Sequence, residues 1–161
     1  MKKVIKLKLS AEGIENAITE LQMYKEDVER RVKLLVEKLA DRGADIVRAK
    51  ITELDAIDTG VLLNSVESCL VDNIGYIRVN AEYGIFVEFG TGIVGKGKQH
   101  PAKEVFDWEY DINEHGEKGW HFPADDGSYP VTKGQPSRPF MYETALRLRD
   151  EFPAIVKEVF G

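Results

Sequence analysis

The sequence predicts an α+β fold in which a long N-terminal helix and a C-terminal helix pack on a small antiparallel β-sheet. Two stretches, residues 25–54 and 140–159, repeat apolar residues at intervals of three and four, which is typical of amphipathic helices. Between them, a polar turn at residues 72–75 separates two apolar-rich runs, the pattern of a β-hairpin. With 161 residues, 43% of them hydrophobic, the chain is predicted to form one domain, residues 1–161.

The N-terminal quarter alternates first and then becomes helical. Apolar and lysine side chains alternate within residues 3–9, which predicts a half-buried strand. Ser10 is predicted to cap a short helix over residues 11 to about 23. A second helix over residues 25–54 would be about 45 Å long at 1.5 Å per residue, so one end is expected to project. Gly43 inside it is expected to mark a close packing point.

The triplet Asp58-Thr59-Gly60 follows this helix and precedes the hairpin. Gly60 is suited to the positive φ of a turn, and Asp58 can accept hydrogen bonds from nearby backbone N–H groups, so we interpret the triplet as a corner. The alternative is an aspartic-protease triplet, which needs a second carboxylate to share its proton. Residues 61–71 and 75–81 are then predicted to be the two strands of the hairpin.

A glycine-rich segment at residues 90–97 literally matches the dinucleotide fingerprint through Gly90, Gly92 and Gly95, and almost matches the P-loop, with Gly97 in place of its Ser or Thr. Both motifs require the loop to open directly into a helix. No helix is expected to begin here, so we interpret the segment as a flexible loop and predict no cofactor. Its lysines permit incidental contact with DNA, although a net charge of −6 disfavours a free-standing DNA-binding protein.

Residues 91–138 are predicted to be mostly irregular. Two short aromatic runs, residues 105–110 and 119–122, suggest a second hairpin. The histidines His100, His115 and His121 lack the spacing of a zinc enzyme, so we interpret them as scattered surface residues and predict no metal.

The C-terminal helix is predicted to begin at Arg138-Pro139-Phe140. Pro153 lies inside it and is predicted to kink or break it. The chain has one cysteine, Cys69, so it cannot form an intrachain disulfide. It also lacks the run of about 20 apolar residues that a membrane span needs.

Three segments together carry a family resemblance. They are Asp58-Thr59-Gly60 with Leu62, the run Tyr83-Gly84-Ile85-Phe86-Val87-Glu88-Phe89-Gly90-Thr91-Gly92, and Arg138-Pro139-Phe140. In this order and at this spacing, residues 44–148 resemble the tail-component family of tailed bacteriophages and prophages. The resemblance implies a short helix at residues 83–89. It also implies a structural salt bridge or subunit contact for Glu88, an acidic residue in an apolar run.

The resemblance implies a non-catalytic virion structural protein, a minor tail protein acting in tail completion or head–tail joining. It would assemble in the cytoplasm of the bacterial host, as a ring or on a ring-shaped template. Its partners would be other copies of itself and tail-tube, tail-terminator or head–tail connector proteins. The interface or structural candidates are Asp58, Thr59, Gly60, Glu88, Phe89, Gly90, Thr91, Gly92, Arg138, Pro139 and Phe140. The alternatives are an adaptor or regulatory module of prophage origin, and a nucleotide- or metal-dependent enzyme.

Overall fold

The computed structural model describes residues 4–5, 9–57, 59–110, 118–122, 124 and 126–161. The elements in chain order are α1 (Ala11–Glu53), α2 (Val61–Asn64), β1 (Val66–Val71), β2 (Ile74–Val79), α3 (Gly84–Phe89), α4 (Gly92–Gly97), β3 (Trp120–His121), β4 (Val131–Thr132) and α5 (Phe140–Phe160). Most of the strand predicted at residues 3–9, and Asp58, lie outside the described residues. Across the described part of the chain, no helix is long and apolar enough to cross a membrane.

Helix α1 is one continuous helix of 43 residues, and the predicted division near residue 24 is wrong. Ser10 caps it as predicted, its side chain accepting a hydrogen bond from the Gly13 N–H at 3.1 Å. No glycine or proline interrupts residues 14–42, and the ion pair of Lys25 with Glu29, one turn apart, lies just C-terminal to the predicted boundary. The helix is therefore about 64 Å long at 1.5 Å per residue.

The hairpin β1–β2 is antiparallel, with Val66 opposite Val79 and Val71 opposite Ile74. Its turn residues Asp72 and Asn73 both have positive φ, as a two-residue type I′ turn requires. The first strand is shorter than predicted, because residues 61–64 form helix α2 instead. In that helix the Asn64 N–H donates to the Gly60 carbonyl at 3.0 Å.

The two long helices pack antiparallel, and α1 also packs on the hairpin, which confirms the predicted fold class. Gly43 is a point of close approach, as predicted. A Cβ placed there would lie 2.1 Å from Ile77 Cδ1 in β2 and 3.4 Å from Leu148 Cδ2 in α5. The core between these elements consists of Ala44, Val47, Ile51, Leu62, Val66, Val87 and Phe140.

Polar contacts fix the direction and position of α5 on α1. Lys50 Nζ lies 2.9 Å from Glu143 near the start of α5, and the Arg31 guanidinium donates to the Val159 carbonyl at 2.8 Å near its end. Residues 11–30, which we call the arm, therefore extend about 30 Å beyond the end of α5.

Helix α5 continues through Pro153, so the predicted break at this residue is absent. Proline removes one backbone hydrogen bond and frees the carbonyl of Arg149. Pro153 and Arg149 are both exposed, so water can hydrate that carbonyl while the opposite face of α5 stays packed on α1.

Glu151 in α5 provides a test of how the two helices are held together. Its carboxylate accepts hydrogen bonds from the Arg42 guanidinium at 2.6 and 2.9 Å and from Arg147 at 3.0 Å. These bonds lower the pKa of Glu151 to about 2. A depressed pKa adds stability above the unfolded-state value of 4.5 and loses it as the pH falls toward 2.

We therefore expect wild type to melt above Glu151→Gln at pH 7, and the difference to shrink between pH 4.5 and pH 2. Thermal melts of both proteins across this range measure it. In an Arg42→Gln background the same substitution is expected to have a smaller effect, because the bidentate partner is gone. A difference in melting temperature that stays constant with pH would contradict the prediction.

Candidate functional site

The candidate site is the place where α3 meets the start of α5, and Glu88 lies at its centre. The Glu88 side chain is buried; its Oε2 accepts from the Met141 N–H at 2.9 Å and its Oε1 from the Tyr142 N–H at 3.0 Å. These N–H groups belong to the first turn of α5, where no helical carbonyl can reach them and the helix dipole favours a negative charge. Pro139, the residue before α5, provides no side-chain cap. Glu88 therefore caps α5 from a distant helix.

His100 completes this arrangement from a third segment. Its side chain is buried and lies with Nε2 3.1 Å from Glu88 Oε1. The Nδ1 atom accepts a hydrogen bond from the Ala102 N–H at 3.0 Å, so the proton of a neutral ring lies on Nε2 and is donated to Glu88. The imidazole also packs against Phe89, with ring centroids 4.2 Å apart.

Two sequence interpretations are corrected by this geometry. Glu88 was expected to form a salt bridge or a subunit contact, but its partners within the chain are an imidazole and two backbone N–H groups. His100 is not a surface residue of a flexible loop, because only 2% of it is exposed. The contact between Glu88 and His100 depends on tertiary packing, and no local pattern around His100 indicates burial.

The segment Arg138-Pro139-Phe140 packs directly against α3 and the end of α1. The Arg138 N–H donates to the Val87 carbonyl at 2.9 Å, and its guanidinium Nε donates to the Leu54 carbonyl at 3.2 Å. Phe140 is fully buried in the core. Just before this segment, the Ser137 hydroxyl donates to the Glu88 carbonyl at 2.6 Å. These contacts attach the start of α5 to α3 and to the end of α1.

The corner Phe89-Gly90-Thr91-Gly92 is held by residues 133–137. Thr91 and Gln135 exchange two backbone hydrogen bonds, of 2.9 and 3.2 Å. Gly90 has φ +79°, and a Cβ there would lie 2.5 Å from the Ser137 nitrogen. Gly92, at φ +60°, would place a Cβ 2.6 Å from the Lys133 carbonyl oxygen. The corner therefore requires glycine for both its conformation and its close backbone contacts.

The glycine-rich segment was predicted to be a loop without a helix, and this is wrong: α4 begins at Gly92. Three backbone N–H groups at its start are nevertheless hydrogen-bonded within the chain. The Thr91 N–H donates to Gln135, the Val94 N–H to Lys133 and the Gly95 N–H to Thr91. Helix α4 thus begins against the chain segment 133–135, and its glycines permit that close approach.

The second hairpin was predicted between the wrong segments. Trp120 and His121 form β3 and pair with Val131 and Thr132 of β4. The first aromatic run instead folds back over the glycine corner. The Trp108 indole donates to the Gly90 carbonyl at 3.3 Å, and the Tyr110 hydroxyl donates to the Phe89 carbonyl at 3.1 Å.

The histidines do not form a metal centre in the part of the chain that the structure describes. No group of three His, Cys, Asp or Glu side chains with metal-binding geometry occurs there. His115 and Asp111 lie outside the described residues.

Thr59 and Gly60 lie next to this site, on the side of α2. Gly60 has φ +81° and begins α2, which agrees with its interpretation as a corner. Thr59 and Arg138 line one shallow cleft. Two of the segments that carry the resemblance thus share a cleft, and Arg138 also contacts the backbone of Leu54.

An apolar groove of about 430 Å³ opens beside Glu88 and His100. Its apolar wall is formed mainly by Val79, Ile85, Phe106, Met141, Tyr142 and Ala145. Glu88 and His100 also line it, but their side-chain atoms already hydrogen-bond within the protein. Within the described residues, no buried side-chain nitrogen or oxygen lacks a hydrogen-bond partner. The groove therefore offers mainly apolar contacts to an occupant.

No protein-family model matches this chain, and no curated protein or solved structure matches it either.

Proposed function

We propose that this protein is a structural component of a tailed phage or prophage particle that acts in tail completion or head–tail joining. The observation that carries the proposal is the convergence of the segments behind the resemblance. Glu88 and the glycine corner at residues 90–92 lie far from Arg138-Pro139-Phe140 in sequence, but the two segments share one hydrogen-bonded junction. We call it the α3–α5 junction. A sequence pattern whose residues hold the fold together is consistent with a structural role.

The chemistry of the junction favours a structural role over a catalytic one. A carboxylate beside an imidazole is a common acid–base pair in enzymes. Here the Glu88 oxygens accept from two backbone N–H groups and the imidazole, and His100 Nδ1 accepts from Ala102. Each group is committed to holding a helix end or a loop, so neither is positioned to exchange a proton with a substrate.

We propose that the protein acts as a ring or on a ring-shaped template. Its neighbours would be further copies of this chain and tail-tube, tail-terminator or head–tail connector proteins. Exposed apolar side chains at both ends of the molecule support self-association, among them Ile14 and Ile18 on the arm and Ile85 and Phe106 beside the groove. In this proposal the protein is part of the virion after assembly in the host cytoplasm.

The first experiment measures molar mass by light scattering, from micromolar concentration to the highest soluble level. We expect a discrete oligomer of several subunits, whose mass gives the stoichiometry. The second experiment mixes the protein with tail-tube, tail-terminator and head–tail connector proteins from the same genome and measures co-sedimentation. We expect binding to at least one of them, and an unrelated protein of similar charge serves as the control. A monomer that binds none of them would overturn the proposal.

A nucleotide or metal titration separates this proposal from the enzyme alternative. A ligand that binds the native state raises the melting temperature. We expect no change with saturating ATP, NAD, Mg²⁺ or Zn²⁺. A concentration-dependent rise would favour the enzyme.

A further inference from the structure

We propose that the arm of one copy docks in the apolar groove of the next copy, forming a head-to-tail contact between identical chains. The inference rests on the proposed function, since it names the contact through which the protein self-assembles. The occupant of the groove is a second copy of this chain.

The arm carries an exposed apolar stripe. Ile14, Ile18 and Leu21 are 46%, 50% and 55% exposed, and their spacing of four and three residues places them on one helix face. Helices in proteins obtain most of their stability from packing such a face against another element. Helix α5 ends near Arg31 and does not extend along the arm. The stripe is therefore available to a partner.

The groove presents a complementary apolar surface. Ile85 is 51% exposed and Phe106 is 62% exposed at its edge, while Met141 and Tyr142 line it from the first turn of α5. Its volume of about 430 Å³ lies within the range of about 300–1,000 Å³ that is typical of binding clefts.

The arm and the groove lie at opposite ends of the α1–α5 pair. The groove adjoins the first residues of α5, and the arm begins beyond the last ones, a helix length of about 31 Å away. Because α1 is one continuous helix that points the arm away from the groove, the arm cannot fill the groove of its own chain. A contact between different surfaces of two copies propagates from copy to copy, so it closes a ring or extends a filament.

Charge favours the arm-to-groove contact over pairing between two arms. The outer part of the arm, residues 11–24, carries Glu12, Glu15 and Glu20 and no Lys or Arg. Pairing two apolar stripes would bring six of these glutamates together. The segment that supplies His100 and Phe106 to the groove, residues 96–106, carries three lysines and one glutamate. Lys103 pairs with the glutamate, Glu104, at 3.0 Å, so Lys96 and Lys98 provide the net positive charge of the segment. Lys103 follows His100 and precedes Phe106, which both line the groove. Opposite charges on the arm and at the rim of the groove orient the incoming arm, and like charges disfavour the pairing of two arms.

The test uses two double variants with exposed positions, so that folding is retained. I14Q/I18Q removes the arm stripe, and I85Q/F106Q removes the groove edge. Each is expected to raise the concentration at which the protein assembles by about tenfold or more, as loss of central apolar contacts does. V71Q/I74Q, also at exposed apolar positions, is the matched control and is expected to assemble like wild type. Thermal melts verify that all three variants are folded.

Mixing the two defective variants gives the decisive result. Each retains one half of the contact, so an equimolar mixture is expected to form a 1:1 heterodimer by sedimentation velocity, although neither variant associates alone. A charge exchange is the second readout. Both E12K/E15K and K96E/K98E are expected to weaken assembly, and mixing these two variants is expected to restore association.

Other outcomes overturn the inference. If the arm variant is monomeric while the groove variant still assembles, the arms pair with each other. If both assemble like wild type, neither surface is used. If wild type stays monomeric at its highest soluble concentration, the contact does not exist in solution. In that last case, binding to tail or connector proteins still decides the proposed function separately.

Discussion

Replacing Glu88 by glutamine is expected to lower the free energy of unfolding by about 3 kcal/mol, as breaking a buried charged hydrogen-bond network does. The glutamine has the same shape, but one carboxylate oxygen becomes an NH₂ group. In the native structure three donors point at the two oxygens, from the Met141 and Tyr142 N–H groups and the His100 ring. Whichever way the amide is oriented, its NH₂ group faces at least one donor. The first turn of α5 also loses the negative charge that its dipole favours.

Urea unfolding at pH 7 measures this effect, with Glu82→Gln as the matched control. Glu82 lies six residues earlier and is exposed, so its substitution is expected to change the free energy of unfolding by no more than about 0.5 kcal/mol. The two substitutions remove the same charge from the same part of the chain and differ in burial. If Glu88→Gln were as stable as wild type, the carboxylate would not act as a cap, and a catalytic interpretation of the Glu88–His100 pair would regain support.

The helices and the hairpin were predictable because their signals are local. The apolar period of three and four residues indicated most of α1 and α5, and the polar residues Asp72 and Asn73 located the hairpin turn. In these elements, the residues that decide the conformation lie within one or two helical turns of each other, or in the turn itself. Gly43 was also interpretable, since a glycine inside a strong helical pattern indicates a close neighbour.

The fold prediction was wrong where a local sequence pattern is compatible with two structures. Residues 61–64 read Val-Leu-Leu-Asn, four residues that suit a strand as well as a helical turn. The positive φ of Gly60 and the packing of buried Leu62 favour a helical turn at residues 61–64. In α1, the change of pattern near residue 24 reflects a change of surroundings. The helix passes the end of α5 near Arg31 and continues through residue 24 as an exposed arm without interruption.

The candidate site was only partly predictable, because its contacts join distant parts of the chain. The sequence indicated that Glu88, in an apolar run, needs a partner. It did not indicate which one, since His100 is 12 residues away and the N–H groups of Met141 and Tyr142 are 53 and 54 residues away. Trp108 and Tyr110 were wrongly predicted to lie in a hairpin, because their partners are also distant in sequence. Their polar atoms find carbonyl groups of the glycine corner, and a period-2 pattern carries no information about such partners.

Replacing Gly90 by alanine is expected to lower the free energy of unfolding by about 3 kcal/mol or more, from backbone strain together with steric overlap. Gly90 has φ +79°, which an alanine adopts only with strain. The new Cβ would lie 2.5 Å from the Ser137 nitrogen and 2.8 Å from the Gln135 carbonyl oxygen. Both are backbone atoms, so no side chain can rotate away to relieve the overlap. Urea unfolding measures the total loss.

The matched control is Gly97→Ala, seven residues further along. A Cβ at Gly97 has no neighbour within 4 Å, and the residue lies in α4, so alanine is expected to be neutral or slightly stabilising there. Amide hydrogen exchange shows which part of the structure the substitution destabilises. In Gly90→Ala, the Thr91 and Gln135 amides, which hydrogen-bond each other's carbonyl groups, are expected to lose protection before the amides of α1 do. If the Thr91 and Gln135 amides kept wild-type protection while global stability fell, the strain would be relieved elsewhere in the structure. In that case the glycine corner would not hold residues 133–137 against α3.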